Sequence, residues 1–153
     1  MSAHSLVLPT AADTRALGVR LGELAGAGDL IVLTGPLGAG KTVLVQGIGA
    51  ALGAAGPINS PTFVISRVHR GGRLPLVHVD AYRLGSAAEV DDLDLDADLA
   101  DAVTAVEWGA GLVEQLAEEH LAIELRRAID DDVRTAVLTA NGSSWESRLH
   151  GLQ

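Results

Sequence analysis

Residues 35–42 have the residue types and the spacing of a phosphate-binding loop. Their sequence is Gly-Pro-Leu-Gly-Ala-Gly-Lys-Thr, a glycine and four further residues followed by Gly-Lys-Thr. Glycines let successive backbone N–H groups curl around a phosphate, and the helix that follows points its positive end at the same anion. Lys41 is expected to reach the β- and γ-phosphates, and Thr42 to offer its hydroxyl to Mg²⁺. The alternative is a glycine-rich turn without a ligand, but the preceding apolar run and the following helical pattern favour nucleotide binding.

Lys41 is also informative because it is the only lysine among eleven basic residues. A chain that otherwise uses arginine has kept lysine where a flexible point charge is needed. Most GTPases read guanine with a later motif that contains a lysine, and none is available here. The sequence therefore predicts ATP rather than GTP.

Two acidic residues end apolar runs and are candidates for the carboxylates that such a site needs. Asp80 follows Leu-Val-His-Val, and Glu107 follows Val-Thr-Ala-Val. One is expected to bind Mg²⁺ and the other to polarise water, although ordinary strand-end carboxylates are the simpler alternative for each. His78 lies on the same strand face as Asp80, and a packed or hydrogen-bonded core histidine is favoured over a metal ligand. Thr62 either senses the γ-phosphate or belongs to a turn held by Pro61.

The elements that must position these residues alternate between helical and extended patterns. Thr10 with Asp13 three residues later predicts a helix start, and the turn residues Gly71-Gly72 predict a hairpin. The alternation predicts an α/β fold, a single P-loop domain with a mixed central sheet, a β-hairpin and flanking helices. The predicted elements are a helix that follows Thr10 and is ended by Gly26 and Gly28, strands at 30–33, 63–69, 74–79, 102–106, 121–125 and 135–138, and helices at 42–52, 87–90 and 111–119.

Composition limits the classes of function. The chain has 153 residues, a formal charge of −9 and no cysteine, which excludes disulfides, thiolate metal sites and cysteine nucleophiles. Residues 89–153 alone carry a charge of −12, so direct binding to DNA or RNA is not expected. No apolar run approaches the roughly 18 residues that span a bilayer, and a cytoplasmic location is expected. We expect one domain over 1–153, with Gly142 to Gln153 as a loosely packed tail.

With these features in place, the chain resembles the TsaE (YjeE) family of small bacterial P-loop ATPases. The segments that carry the resemblance are residues 35–42, 60–63, 78–84 and 106–108. The loop is shared by many families, whereas Ser-Pro-Thr-Phe and Asp-x-Tyr-Arg-Leu together are far more specific. The resemblance implies weak, Mg²⁺-dependent ATP hydrolysis. It also implies action with two partner proteins, TsaD and TsaB, in threonylcarbamoyl transfer to the tRNA adenosine beside the anticodon, and contact with tRNA only through that complex.

The resemblance also implies roles for individual residues. Lys41, Asp80 and Glu107 would be catalytic, and Thr42, Asp80 and Glu107 would surround Mg²⁺, with Asp80 in the place of the Walker-B acid. The residues implied to contact the nucleotide are Thr10, Gly35, Pro36, Leu37, Gly38, Ala39, Gly40, Lys41, Thr42, Val43 and Thr62.

Two other functions remain open at this point. A nucleotide-dependent binding or regulatory module with incidental hydrolysis would use the same loop. A small P-loop kinase is a weaker alternative, because such kinases usually carry a lid with several arginines and residues 84–125 contain none.

Overall fold

Seven strands and three helices make up the described part of the chain. The structure is a computed structural model that describes residues 3–36, 40–54, 58, 66–80, 100–107, 119–127 and 133–152. In chain order its elements are β1 (Ala3–Leu8), α1 (Ala11–Leu24), β2 (Leu30–Thr34), α2 (Lys41–Leu52), β3 (Ser66–His69), β4 (Leu76–Asp80), β5 (Val103–Glu107), β6 (His120–Arg127), β7 (Arg134–Asn141) and α3 (Ser143–Leu149), followed by a 3-10 turn (His150–Leu152).

The strands form one mixed sheet in the order β1-β7-β6-β2-β5-β4-β3. Strand β2 is parallel to both of its neighbours, β5 and β6, and β5 is parallel to β4. The pairs β1–β7, β6–β7 and β3–β4 are antiparallel. Because β2, β4 and β5 run in the same direction, their carboxyl ends lie along one edge of the sheet. The predicted α/β fold with a mixed sheet, a hairpin and flanking helices is confirmed.

Burial follows the position of each strand in the sheet. Strand β2 is central, and its apolar residues 30–33 are buried on both faces, as their continuous run predicts. Strands β6 and β7 instead alternate buried with more exposed residues, so one of their faces meets the core and the other is partly open to water. The most buried strands are therefore β2, β4 and β5, whose carboxyl ends lie together.

Helices α1 and α2 pack closely because glycine occupies their contact. A Cβ atom on Gly18 would lie 2.1 Å from the Leu44 carbonyl oxygen, and one on Gly47 would lie 2.1 Å from that of Arg15. Neither position has room for a side chain. The predicted start of α1 is also observed, and it is a capping box in which the side chains of Thr10 and Asp13 each accept a hydrogen bond from the other's backbone N–H group.

The C-terminal segment differs from the sequence-based expectation. Residues 142–152 are not a loosely packed tail, because α3 buries Trp145 and Leu149 in the core and Leu152 is buried after it. Arg148 connects this helix to the turn before β2, with its Nη1 atom 2.5 Å from Asp29 Oδ2. The apolar side chains of the segment thus complete the core beneath the sheet.

Other predicted boundaries shift or remain outside the described residues. The hairpin forms, with its second strand starting at Leu76 rather than at Leu74 and its connection spanning residues 70–75. Residues 63–65 of the predicted first strand lie outside the described residues. Strand β1, which the sequence analysis did not predict, pairs with β7 at the sheet edge. The helices predicted near 87–90 and over 111–119, and most of the acidic segment 91–101, lie outside the described ranges. None of the helices within the described ranges is long and apolar enough to cross a membrane.

The close approach of α1 and α2 makes a prediction about stability. We expect Gly47→Ala to lower the free energy of unfolding by about 1–3 kcal/mol, because the new methyl group overpacks against backbone. In an unconstrained helix the same change would stabilise by roughly 1 kcal/mol. Urea denaturation measures the effect, and Gly151→Ala is the control, since a Cβ there meets nothing within 4 Å. Equal or higher stability of Gly47→Ala would contradict the packing described here.

Candidate functional site

The predicted phosphate-binding loop connects the end of β2 to the start of α2. Gly35 and Gly40 adopt positive φ angles of 145° and 103°, a region that side chains with a Cβ rarely enter. Gly40 directly precedes the first turn of α2, whose N–H groups and dipole favour an anion. Leu37, Gly38 and Ala39 lie outside the described residues. The strand-loop-helix context that the motif requires is therefore present around them.

Lys41 is turned back over this loop. Its side chain is 5% exposed, and its Nζ atom donates hydrogen bonds to the carbonyl oxygens of Gly35 (2.7 Å) and Pro36 (3.0 Å). Burial lowers the pKa of Lys41, while the carboxylates of Glu107 and Asp80 act in the opposite direction. The ammonium group thus lies against the first residues of the loop. An anionic ligand could replace the two carbonyl oxygens as its hydrogen-bond partner.

The strand order brings the two predicted acids together. Asp80 and Glu107 are direct partners in the β4–β5 register, and Glu107 is also opposite Leu33 in the β5–β2 register. Both carboxylates are close enough to influence the pKa of Lys41. Three parallel strands thus end together, with two carboxylates next to the lysine of the loop.

Glu107 is the buried centre of this group. It is 3% exposed, and both of its carboxylate oxygens lie 3.4 Å from the Thr42 hydroxyl oxygen. Its Oε2 atom also lies 2.5 Å from His78 Nε2. A carboxylate only accepts hydrogen bonds, so this contact pairs Glu107 as acceptor with the His78 tautomer that carries a proton on Nε2. His78 itself is fully buried, which confirms the prediction of a hydrogen-bonded core histidine.

The comparison with known families agrees with this architecture. The family model described as threonylcarbamoyl adenosine biosynthesis protein TsaE matches residues 8–136. The chain belongs to the TsaE family. This membership links it to the biosynthesis of threonylcarbamoyladenosine in tRNA.

Individual TsaE relatives cover most of the chain. The tRNA threonylcarbamoyladenosine biosynthesis protein TsaE of Mycobacterium tuberculosis H37Rv is 54% identical over an alignment of 138 positions, and the alignment covers 84% of this chain and 82% of that protein. The protein of the same name from Streptomyces coelicolor is 53% identical, over 86% of this chain and 93% of its own. A crystal structure of YdiB from Bacillus subtilis superposes with a TM-score of 0.81 and 30% identity, covering 99% of this chain and 94% of that one.

Thr10 and Val43 are near the loop, although their predicted contacts with a nucleotide stay predictions. A Cβ on Gly40 would lie 3.4 Å from Thr14 Cγ2, so the first turn of α1 is beside the start of α2. Thr10 is exposed at that end of α1, and its hydroxyl donates to Asp13 Oδ2 at 2.7 Å. Val43 is half-buried in the first turn of α2. Thr62 lies outside the described residues.

The oxygen atoms at this site fit Mg²⁺ better than they fit a transition metal. The described residues contain no group of three or more His, Cys, Asp or Glu side chains that would hold a metal alone. Mg²⁺ is usually held by one or two carboxylates, water and the phosphates of a substrate, so a smaller set of protein oxygens suffices. Thr42, Asp80 and Glu107 supply such a set beside the loop.

The bond between His78 and Glu107 is the feature of the site that sequence reasoning missed. His78 is opposite Ala105 in the β4–β5 register, so Glu107 is its diagonal neighbour on the same face of the sheet. The alternation of each strand places both residues on a face, but only the pairing of the strands makes them neighbours. Strand order was the signal that the sequence analysis lacked.

A second buried histidine, His69 at the end of β3, makes stability depend on pH. Its ring centroid is 6.5 Å from that of His78, and it is 7% exposed. Burial is the largest cause that lowers the pKa of His69 from its ordinary value of 6.5. The electrostatic effects of His78 and Arg67 lower it further. The folded chain therefore takes up this proton less readily than the unfolded chain does.

We expect His69 to contribute to a loss of stability as the pH falls from 6.5 towards the pKa of the folded state. Above 6.5 the residue is mostly neutral in both states and costs nothing. Urea midpoints at pH 8 and pH 5 should differ less for His69→Leu and for His69→Gln than for the unmodified chain. Equal pH dependence in all three proteins would contradict this assignment.

Proposed function

We propose that this chain is a Mg²⁺-dependent ATPase that supports threonylcarbamoyl transfer to tRNA together with TsaD and TsaB. The observation that carries the proposal is the approach of Glu107 to Thr42, with 3.4 Å between the hydroxyl oxygen and each carboxylate oxygen. It joins the end of β5 to the first turn of α2 beside Lys41. A glycine-rich turn without a ligand has no need for a buried carboxylate there.

Each residue of the group has a distinct part in this proposal. Lys41 and the N–H groups at the start of α2 bind phosphate oxygens. Thr42 and Glu107 hold Mg²⁺, which when bound neutralises charge on the phosphates. Asp80 would orient the attacking water from the neighbouring strand. The absence of a guanine-reading lysine favours adenine as the base.

The family and the charge of the chain support the part of the proposal that concerns partners. The relatives carry the name tRNA threonylcarbamoyladenosine biosynthesis protein. A chain with a formal charge of −9 is repelled by RNA phosphates at long range, so its contact with tRNA is expected through other proteins. TsaD and TsaB are proposed as those proteins.

The first test is ATP turnover by the full chain, alone and with a TsaD–TsaB pair from the same source. We expect slow turnover alone, a higher rate with the pair, and loss of both in Lys41→Ala. Arg70→Ala is the matched control, because Arg70 is an exposed cation in the turn between β3 and β4. This turn lies at the amino end of β4, whereas the site lies at the carboxyl end. It should keep the basal rate.

Each result of this test has a definite meaning. An ATP turnover rate that is unchanged by the TsaD–TsaB pair would contradict the proposed partners but would still support ATPase activity. Bound ATP without turnover, alone and with the pair, would replace the ATPase by a nucleotide-dependent binding module. In that case Glu107→Ala should retain function with the pair.

The Thr42 hydroxyl gives a separate prediction about the metal. We expect Thr42→Ala to raise the Mg²⁺ concentration needed for half-maximal turnover, because one oxygen is lost next to Glu107. Thr42→Ser keeps the hydroxyl and should behave like the unmodified chain. A Mg²⁺ titration of ATP turnover measures this, and equal Mg²⁺ dependence of all three proteins would exclude Thr42 from the metal site.

A further inference from the structure

The imidazole of His78 has one hydrogen-bond partner in the described part of the structure, and that partner is Glu107. Its Nε2 atom lies 2.5 Å from Glu107 Oε2. Its Nδ1 atom is buried and has no partner there. A buried polar atom without a partner destabilises the folded state, so packing alone does not favour histidine at this position. The bond to Glu107 is the feature that an apolar residue could not reproduce.

This bond is much tighter than the contact of Glu107 with Thr42. Hydroxyl-to-oxygen hydrogen bonds are usually about 2.7–2.8 Å long. The distances of 3.4 Å from the Thr42 hydroxyl oxygen to each carboxylate oxygen are therefore long, and they are equal. The two carboxylate oxygens are thus equally distant from the Thr42 hydroxyl, and neither distance is short enough to fix the orientation of the carboxylate. The strong constraint on its orientation comes from His78, below it on the neighbouring strand.

The position of His78 makes it a rigid support. It is fully buried in β4, between β3 and β5, and Asp80 follows two residues later on the same strand face. Because side chains in a close-packed interior cannot readily change rotamer, the Nε2 atom stays where β4 places it. Glu107, at the carboxyl end of β5, is thereby held in place through its Oε2 atom.

We propose that His78 is a positioning residue that orients the Glu107 carboxylate towards Thr42 and so prepares the Mg²⁺ site before the metal arrives. The inference rests on the proposed function, since it concerns the metal that this function requires. Residues that hold a metal-binding side chain in place through a hydrogen bond typically change metal affinity 10–100-fold when they are replaced. His78 itself does not contact the nucleotide or the metal in this proposal.

The test compares ATP binding by the full chain with and without Mg²⁺, measured by isothermal titration calorimetry. We expect His78→Leu to raise the Mg²⁺ concentration at which ATP binding is half-enhanced by about 10–100-fold. ATP affinity in EDTA should stay within about twofold of the unmodified chain, because the hydrogen bonds that Lys41 donates to Gly35 and Pro36 do not involve His78. His78→Gln should restore most of the Mg²⁺ response, since its amide takes the place of Nε2.

Two controls separate positioning from a general structural effect. His69→Leu removes the other buried histidine of this hairpin, which is not bonded to Glu107, and should leave the Mg²⁺ response unchanged. His78→Asn is used if the leucine variant does not fold. Its amide takes the place of Nδ1 and is too short to reproduce the bond to Glu107, so we expect it to behave like leucine. Thermal unfolding without ligand shows which variants are folded.

The outcomes distinguish the inference from the proposed function. If the unmodified chain binds ATP more tightly with Mg²⁺ and folded His78→Leu or His78→Asn does the same at equal Mg²⁺, the positioning role is wrong and the proposed function stands. The role is also wrong if leucine and glutamine weaken binding equally with and without Mg²⁺. If the unmodified chain binds no ATP, or binds it without regard to Mg²⁺, the proposed function fails and the inference fails with it.

Discussion

A buried carboxylate, that of Glu107, is the constraint on which the rest of the site depends. Removing a carboxylate from water is costly unless donors or cations compensate for the lost hydration. Here an imidazole N–H, a hydroxyl and the nearby ammonium of Lys41 share that task. These partners come from β4 and from the first turn of α2. The cluster is therefore stable only when strand order and helix position are both correct.

The packing of α1 against α2 supplies that position. Glycine on each helix lets the two backbones approach closely, and this contact fixes the axis along which α2 leaves the loop. The same contact places the capped start of α1 beside Gly40. A displacement of α2 would therefore move Lys41 and Thr42 relative to Glu107 on β5, the strand that pairs with β2. The geometry of the site thus requires the tight packing of α1 against α2.

Sequence reasoning succeeded where the relevant interactions are local. Residues 35–42 are contiguous, so their motif, the strand before it and the helix after it were all predictable. Asp80 and Glu107 were recognisable as strand-end acids, but their pairing depends on β4 and β5 being neighbours, which no local pattern encodes. The burial of α3 was missed for the same reason, because Arg148 meets Asp29 across 119 residues of chain.

The charges of the site explain why a divalent cation belongs to the proposed chemistry. Asp80 and Glu107 together outweigh the single charge of Lys41, so the group of three side chains is negative before any ligand binds. A polyphosphate brought to this edge would meet repulsion from both carboxylates, only partly offset by the ammonium and the end of α2. A divalent cation held by these carboxylates would reverse that balance. Under the proposed function, the two acids that repel a polyphosphate in the absence of a cation are those that make Mg²⁺ and nucleotide bind together.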